Sequence, residues 1–128
     1  MTADLSMLIW SVALTFVQML VAAVGSNTQV GLVTLAGNRD SLPHFTGWAG
    51  RAKRAHANML ENLPLFAALV LVAQVTNHAN PTTALGAHLF FWARLIYAIV
   101  YVAGVPWLRT IVWLVSVIGM LMIFGQLV

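Results

Sequence analysis

Four long apolar stretches dominate the chain, at residues 5–24, 52–75, 82–103 and 107–127. Each has about the 20 residues that a helix needs to cross a hydrocarbon core of roughly 30 Å. Between them lie short polar or turn-forming segments, and one longer one, residues 25–50, that contains GNRDSLPHFTGWAG. This pattern predicts an all-α integral membrane four-helix bundle. It forms a single domain over residues 1–128, with no soluble appendage. Pro81 and Pro106 fall at helix starts, where a missing N–H costs little. Pro64 lies inside the second span and removes the hydrogen bond to the Leu60 carbonyl, which predicts either a kink beside Glu61 or a tolerated membrane-helix proline. Gly119, Ser116 and Ala103 are candidates for close helix packing, and Trp48 for a membrane interface.

Composition strengthens the membrane reading. The chain is 61% hydrophobic and 7% charged, with a mean hydropathy of +0.90. With no cysteine it can form no disulfide, no cysteine nucleophile and no thiolate metal site. The start, MTADLSM, lacks the basic residues of a secretory leader, so the first span reads as an uncleaved helix. Charge distribution is more informative than net charge. Arg39, Arg51, Lys53 and Arg54 occupy the first connection or the start of span two, and Arg109 follows the third connection. The opposite side carries no lysine or arginine. The positive-inside rule then puts loops one and three in the cytoplasm and both termini outside. A nucleic-acid patch is not expected without a soluble surface to carry it.

Two ionisable residues inside the spans carry the functional question. An intramembrane charge costs about 3 kcal/mol on insertion scales and turns toward a partner in the protein interior. Glu61 lies seven residues past Arg54, roughly 10 Å deeper along the helix, and Arg94 is near the middle of span three. Arg54, Asn58, Glu61 and Leu65 follow i, i+4, i+7, i+11, and Arg94, Tyr97 and Tyr101 follow i, i+3, i+7, so each set shares one helical face. Because the two helices run in opposite directions, Glu61 and Arg94 are expected to meet at the bottom of a polar groove that opens to the cytoplasm at Arg54 and Arg109. One reading is a structural ion pair between helices, with Tyr101 in an interfacial aromatic belt. The other is a site for a small anionic polar ligand, since Arg54, Asn58, Tyr97, Tyr101 and Arg109 add donors beyond what a pair needs. His44, His56, His78 and His88 are dispersed without metal-ligand spacing, so no metal site is expected.

RAHANMLENLPLF, followed by ARLIYAIVY and later LRT, resembles the MAPEG family, the membrane-associated proteins in eicosanoid and glutathione metabolism. GNRD and GWAGRA in the first loop look like its bacterial branch. The resemblance covers nearly the whole chain. It implies a homotrimer in the bacterial inner membrane, with glutathione bound as co-substrate between adjacent subunits near the cytoplasmic face. Arg54, Asn58, Glu61, Arg94, Tyr97 and Tyr101 match glutathione-contacting positions, and Arg109 matches an arginine that stabilises the glutathione thiolate. The implied activity is that of a glutathione transferase or peroxidase acting on lipophilic electrophiles from the bilayer. Three departures stand out: SNTQVGLVTLAG has no basic residue where glutathione-using members carry one, Arg109 follows Pro106 by three residues where some members have a shorter spacing, and Asn62 stands where some members have tyrosine. The first of these favours a second reading, a non-enzymatic lipid- or anion-binding scaffold of the same fold. A small transporter is less well supported, since the four helices show no inverted repeat.

Overall fold

The computed structural model describes residues 1–39 and 42–128. Asp40, counted among the turn-marking residues of the first connection, and Ser41 lie outside them. Four long helices form, α1 (Ala3–Val30), α3 (Gly47–Val75), α4 (Pro81–Ala103) and α5 (Pro106–Leu127), together with a five-residue helix α2 (Leu32–Ala36). All four long helices have the length and apolarity to cross a membrane, and the chain is an integral membrane protein.

Two helices outrun their apolar stretches. α1 continues through Ser26–Gln29, and α3 starts five residues before the apolar run of span two. Loss of apolarity marks where the bilayer ends, whereas a helix ends where its backbone is broken. For α1 that break is Gly31, at φ 84°. At 28 and 29 residues, α1 and α3 are each about 42 Å long, well beyond the roughly 30 Å of hydrocarbon. The first two turns of α3, with Arg51, Lys53 and Arg54, therefore project beyond the apolar core.

Both ends of the bundle are tied by polar side chains. At the basic end the Gln29 amide clamps the backbone of Thr46, donating to its carbonyl at 2.6 Å and accepting from its N–H at 3.1 Å. This fixes the entry of α3 against the exit of α1. The Arg51 guanidinium donates to the Val102 carbonyl at 2.9 Å, a cation on the negative end of α4. Next to it Gly104, at φ 87°, closes α4 in the left-handed conformation. At the other end Thr2 donates to Gln74 and Asn80 donates to Gln126. Asn80 and Thr83 also form a reciprocal capping box at the start of α4, with Pro81 in its first turn.

Lipid offers little hydrophobic force between helices, so the packing relies on small residues and close approach. α4 and α5 cross at Gly86 and Gly119; a Cβ on either would lie 2.5 Å from the other's carbonyl oxygen. Ser116, fully buried one turn away, returns its hydroxyl to the Trp113 carbonyl. Ala103, the third packing candidate, is exposed. α1 meets α3 at Gly25, where an added Cβ would lie 2.8 Å from that of Ala49. Phe66 of α3 and Phe90 of α4 stack with ring centroids 4.0 Å apart at the centre of the core. α3 runs as one continuous helix through Pro64, which is exposed.

Gly119→Ala tests the tightest crossing. Thermal unfolding in detergent should register a loss of about 1–3 kcal/mol, the cost of overpacking, while exposed Ile118→Ala should be near neutral. An unchanged melting temperature in Gly119→Ala contradicts the close approach of α4 and α5.

Candidate functional site

The predicted faces of α3 and α4 do come together, around Arg94. Its side chain is 1% exposed, and its Nη2 donates to Asn58 Oδ1 at 2.7 Å. Its Nε and Nη1 are buried without a hydrogen-bond partner. The guanidinium lies 4.3 Å from the ring centroid of Tyr97, one turn along α4, and borrows the negative face of that ring.

The expected Glu61–Arg94 contact does not form within one chain. Glu61 is exposed, while Arg94 spends its one hydrogen bond on Asn58. The reason is helical azimuth. Three residues past Asn58 the helix has turned about 300°, which sets Glu61 about 60° from Asn58 on the side away from the buried Met59 and Asn62, so its side chain points outward from the α3–α4 contact. Leu65, fourth in the same series, is exposed as well.

Asn62 enters the site instead. It is 8% exposed, and its Nδ2 donates to the Asn58 carbonyl at 2.8 Å and to Asn58 Oδ1 at 3.3 Å. With Asn62 donating from one side and Arg94 from the other, the Asn58 amide is held with its oxygen toward the guanidinium. The i, i+4 spacing of the two asparagines is the sequence signal for this pairing.

Toward the basic end the site becomes more accessible. Tyr101 is half-buried, its ring centroid 5.5 Å from that of Tyr97. Arg54 Nε donates to the Tyr101 hydroxyl at 3.3 Å, and the Arg109 guanidinium lies 4.6 Å from the Tyr101 ring centroid. Asn58, Tyr97 and Arg109 line an open cavity of about 160 Å³ with Thr110, the last residue of the LRT motif, and Trp113, which no motif singles out. The structure thus gathers Arg54, Asn58, Arg94, Tyr97, Tyr101 and Arg109 on one seam between α3, α4 and α5. Of the predicted residues only Glu61 makes no hydrogen bond or ring contact with the others. Three guanidinium groups and two phenols meet there with no carboxylate bonded to any of them among the described residues, an arrangement suited to an anionic ligand.

Replacing Asn58 with leucine strands the remaining donors of a buried cation and should cost about 2–3 kcal/mol; Asn62→Leu, which removes only the positioning amide, should cost about 1 kcal/mol. Thermal unfolding of both variants checks the order. Equal losses contradict the assignment of Asn62 as a positioning residue.

Comparison with known proteins gives one result. No curated protein and no solved structure matches the chain, but the sequence model of the MAPEG family matches residues 7–128. That match takes in all of the four long helices but the first four residues of α1, and every residue of the polar seam, and on that basis the chain belongs to the MAPEG family.

Proposed function

We propose that the protein is a membrane glutathione transferase or peroxidase that activates the glutathione thiol for attack on lipophilic electrophiles. The observation that carries this reading is the convergence of Arg54, Arg94 and Arg109 with Asn58, Tyr97 and Tyr101 on one seam, where Asn58, Tyr97 and Arg109 line an open cavity and the buried Arg94 guanidinium has two nitrogens without a partner. A tripeptide with two carboxylates and an ionisable thiol is a ligand such a group can hold.

The roles follow from depth and charge. Arg54 and Tyr101, at the mouth, anchor a carboxylate. Arg94, held by Asn58, supplies fixed positive charge at the base, and Tyr97 offers its hydroxyl near the same point. Arg109 is the catalytic residue of this reading: a guanidinium beside a thiol favours the thiolate, whose free pKa is about 8.5. The thiol proton leaves to solvent, the sulfur forms a bond to an electrophilic carbon, and the leaving group departs with its electron pair. The protein contributes position and preorganised charge, and no side chain becomes covalently attached.

Two features support a homotrimer whose ligand lies between subunits. A cavity of about 160 Å³ is smaller than the roughly 300–1,000 Å³ of ordinary ligand sites, so one chain supplies only part of the wall. Glu61 is exposed on a single chain at a depth where an uncovered carboxylate is costly; a second copy against α3 relieves that cost and lets the carboxylate take the ligand's amine. The clustering of Lys and Arg at one end of the bundle supports a cytoplasmic mouth, and a bacterial inner membrane fits the same arrangement.

A second reading, an anion-binding scaffold without catalysis, draws support from residues 26–37, which carry no basic side chain. Gln29 is committed to Thr46, and Arg39 donates its Nε back to the Leu35 carbonyl.

Equilibrium binding and turnover on the detergent-purified protein separate the two. Glu61→Gln should weaken glutathione binding about tenfold, the value of roughly 1.4 kcal/mol; a loss of stability with unchanged affinity assigns Glu61 to structure alone. Arg109→Ala should lower kcat by about 100-fold or more, in line with removal of one stabilising donor, and should weaken binding by much less, the loss in affinity being confined to pH values above the bound thiol's pKa. Equal losses in both reduce Arg109 to an anchor.

A further inference from the structure

A second cavity lies away from the polar seam, between α1, α3 and α4. It has a volume of about 440 Å³, within the range of small-molecule sites. Its concavity comes from small side chains: Ala52 and Ala55 of α3 and Ala98 of α4 leave a hollow that Leu14 and Leu95 border. The lining is almost wholly apolar, with one exception. Gln18 of α1 is 7% exposed, and its Oε1 is buried without a hydrogen-bond partner.

Position rules out the usual partner. Gln18 is six residues inside Val24, the last apolar residue of the first span, so it lies about 9 Å within the hydrocarbon. Bulk water does not reach that depth, and an amide left unmatched there is costly. The rim residues Val17, Val21 and Ile99 are exposed, so the hollow is open laterally to whatever fills the bilayer. The acyl chain of an ordinary phospholipid fits the walls but offers the amide nothing to accept from.

We infer that this groove binds an uncharged lipophile bearing a single hydroxyl or N–H donor, its apolar body against Ala52, Ala55 and Ala98 and its donor on the Gln18 amide, whose oxygen turns from its buried position into the groove to accept it. The site is distinct from the anionic seam: α3 presents Ala52 and Ala55 to the groove and Arg54 and Asn58 to the other side. It stands whether or not the protein uses glutathione.

The test uses the full-length protein in liposomes with a diazirine-bearing hexadecanol, mapping photolabelled residues by mass spectrometry. Labelling should concentrate in residues 14–21, 52–55 and 95–103, and unlabelled hexadecanol should compete it away while hexadecyl methyl ether, which lacks a donor, should not. Gln18→Leu should weaken labelling about tenfold, a loss of roughly 1.4 kcal/mol, and leave glutathione binding as it was. Ala98→Phe, which fills the hollow and keeps the amide, should abolish labelling, and it keeps the inference falsifiable if Gln18→Leu fails to assemble. Equal competition by the ether, unchanged labelling in either variant, or labelling spread evenly onto α5 each overturn it.

Discussion

A guanidinium buried between two helices sets the terms for the rest of this protein. Arg94 lies deep in α4, donates one hydrogen bond to α3 at Asn58 Oδ1, and rests on the ring of Tyr97. In a hydrocarbon surround a cation so placed is expensive, and a single amide does not repay it. The cost is accepted where the charge has work to do. That work requires α3 and α4 in fixed register, because a small rotation of either would take the amide away from the guanidinium. Asn62 guards against one such failure by holding the Asn58 side chain from behind. Arg51 guards against another by fastening the start of α3 to the end of α4.

The remainder of the bundle can be understood as support for that register. With little hydrophobic drive between helices in lipid, close contact has to come from shape. The glycine pair at Gly86 and Gly119 lets α5 lie almost backbone to backbone on α4, which carries Arg109 to the ring of Tyr101. Gly25 and Ala49 do the same for α1 and α3, and the Gln29 clamp on Thr46 stops the long connection from pulling them apart. The Arg109–Tyr101 contact is thus a product of helix packing some distance away. The same economy of side-chain volume creates the hollow beside Gln18, where Ala52, Ala55 and Ala98 leave space.

Much of this was legible from the chain alone, for identifiable reasons. Runs of apolar residues report bilayer thickness directly, so the four spans appear where they should. Spacing of three, four and seven reports a helical face, so Arg94, Tyr97 and Tyr101 could be grouped, as could Arg54 and Asn58. What spacing does not report is azimuth toward a particular neighbour. Opposite charges invited a Glu61–Arg94 pair, but the rotation that aims Asn58 at α4 turns Glu61 outward, and an uncharged amide occupies the partner position. Helix ends were obscured because Ser26–Gln29 is polar yet helical, and nothing in LVTLA distinguishes a five-residue helix from loop. Gln18 gave no signal because one amide in an apolar run has no periodic companion; only its burial without a partner makes it visible.

The central claim is that this cationic seam binds glutathione and holds it as the thiolate. The most direct measurement is thiolate absorbance of glutathione against pH, in the presence and absence of the detergent-purified protein. A bound thiol with a pKa below its free value of about 8.5 also requires affinity to rise with pH, by up to tenfold per unit between the bound and free pKa values and not outside that window. The account predicts both the displaced titration and that slope. Saturable binding with an unshifted thiol and pH-independent affinity would contradict it, leaving a protein that grips an anion without activating it.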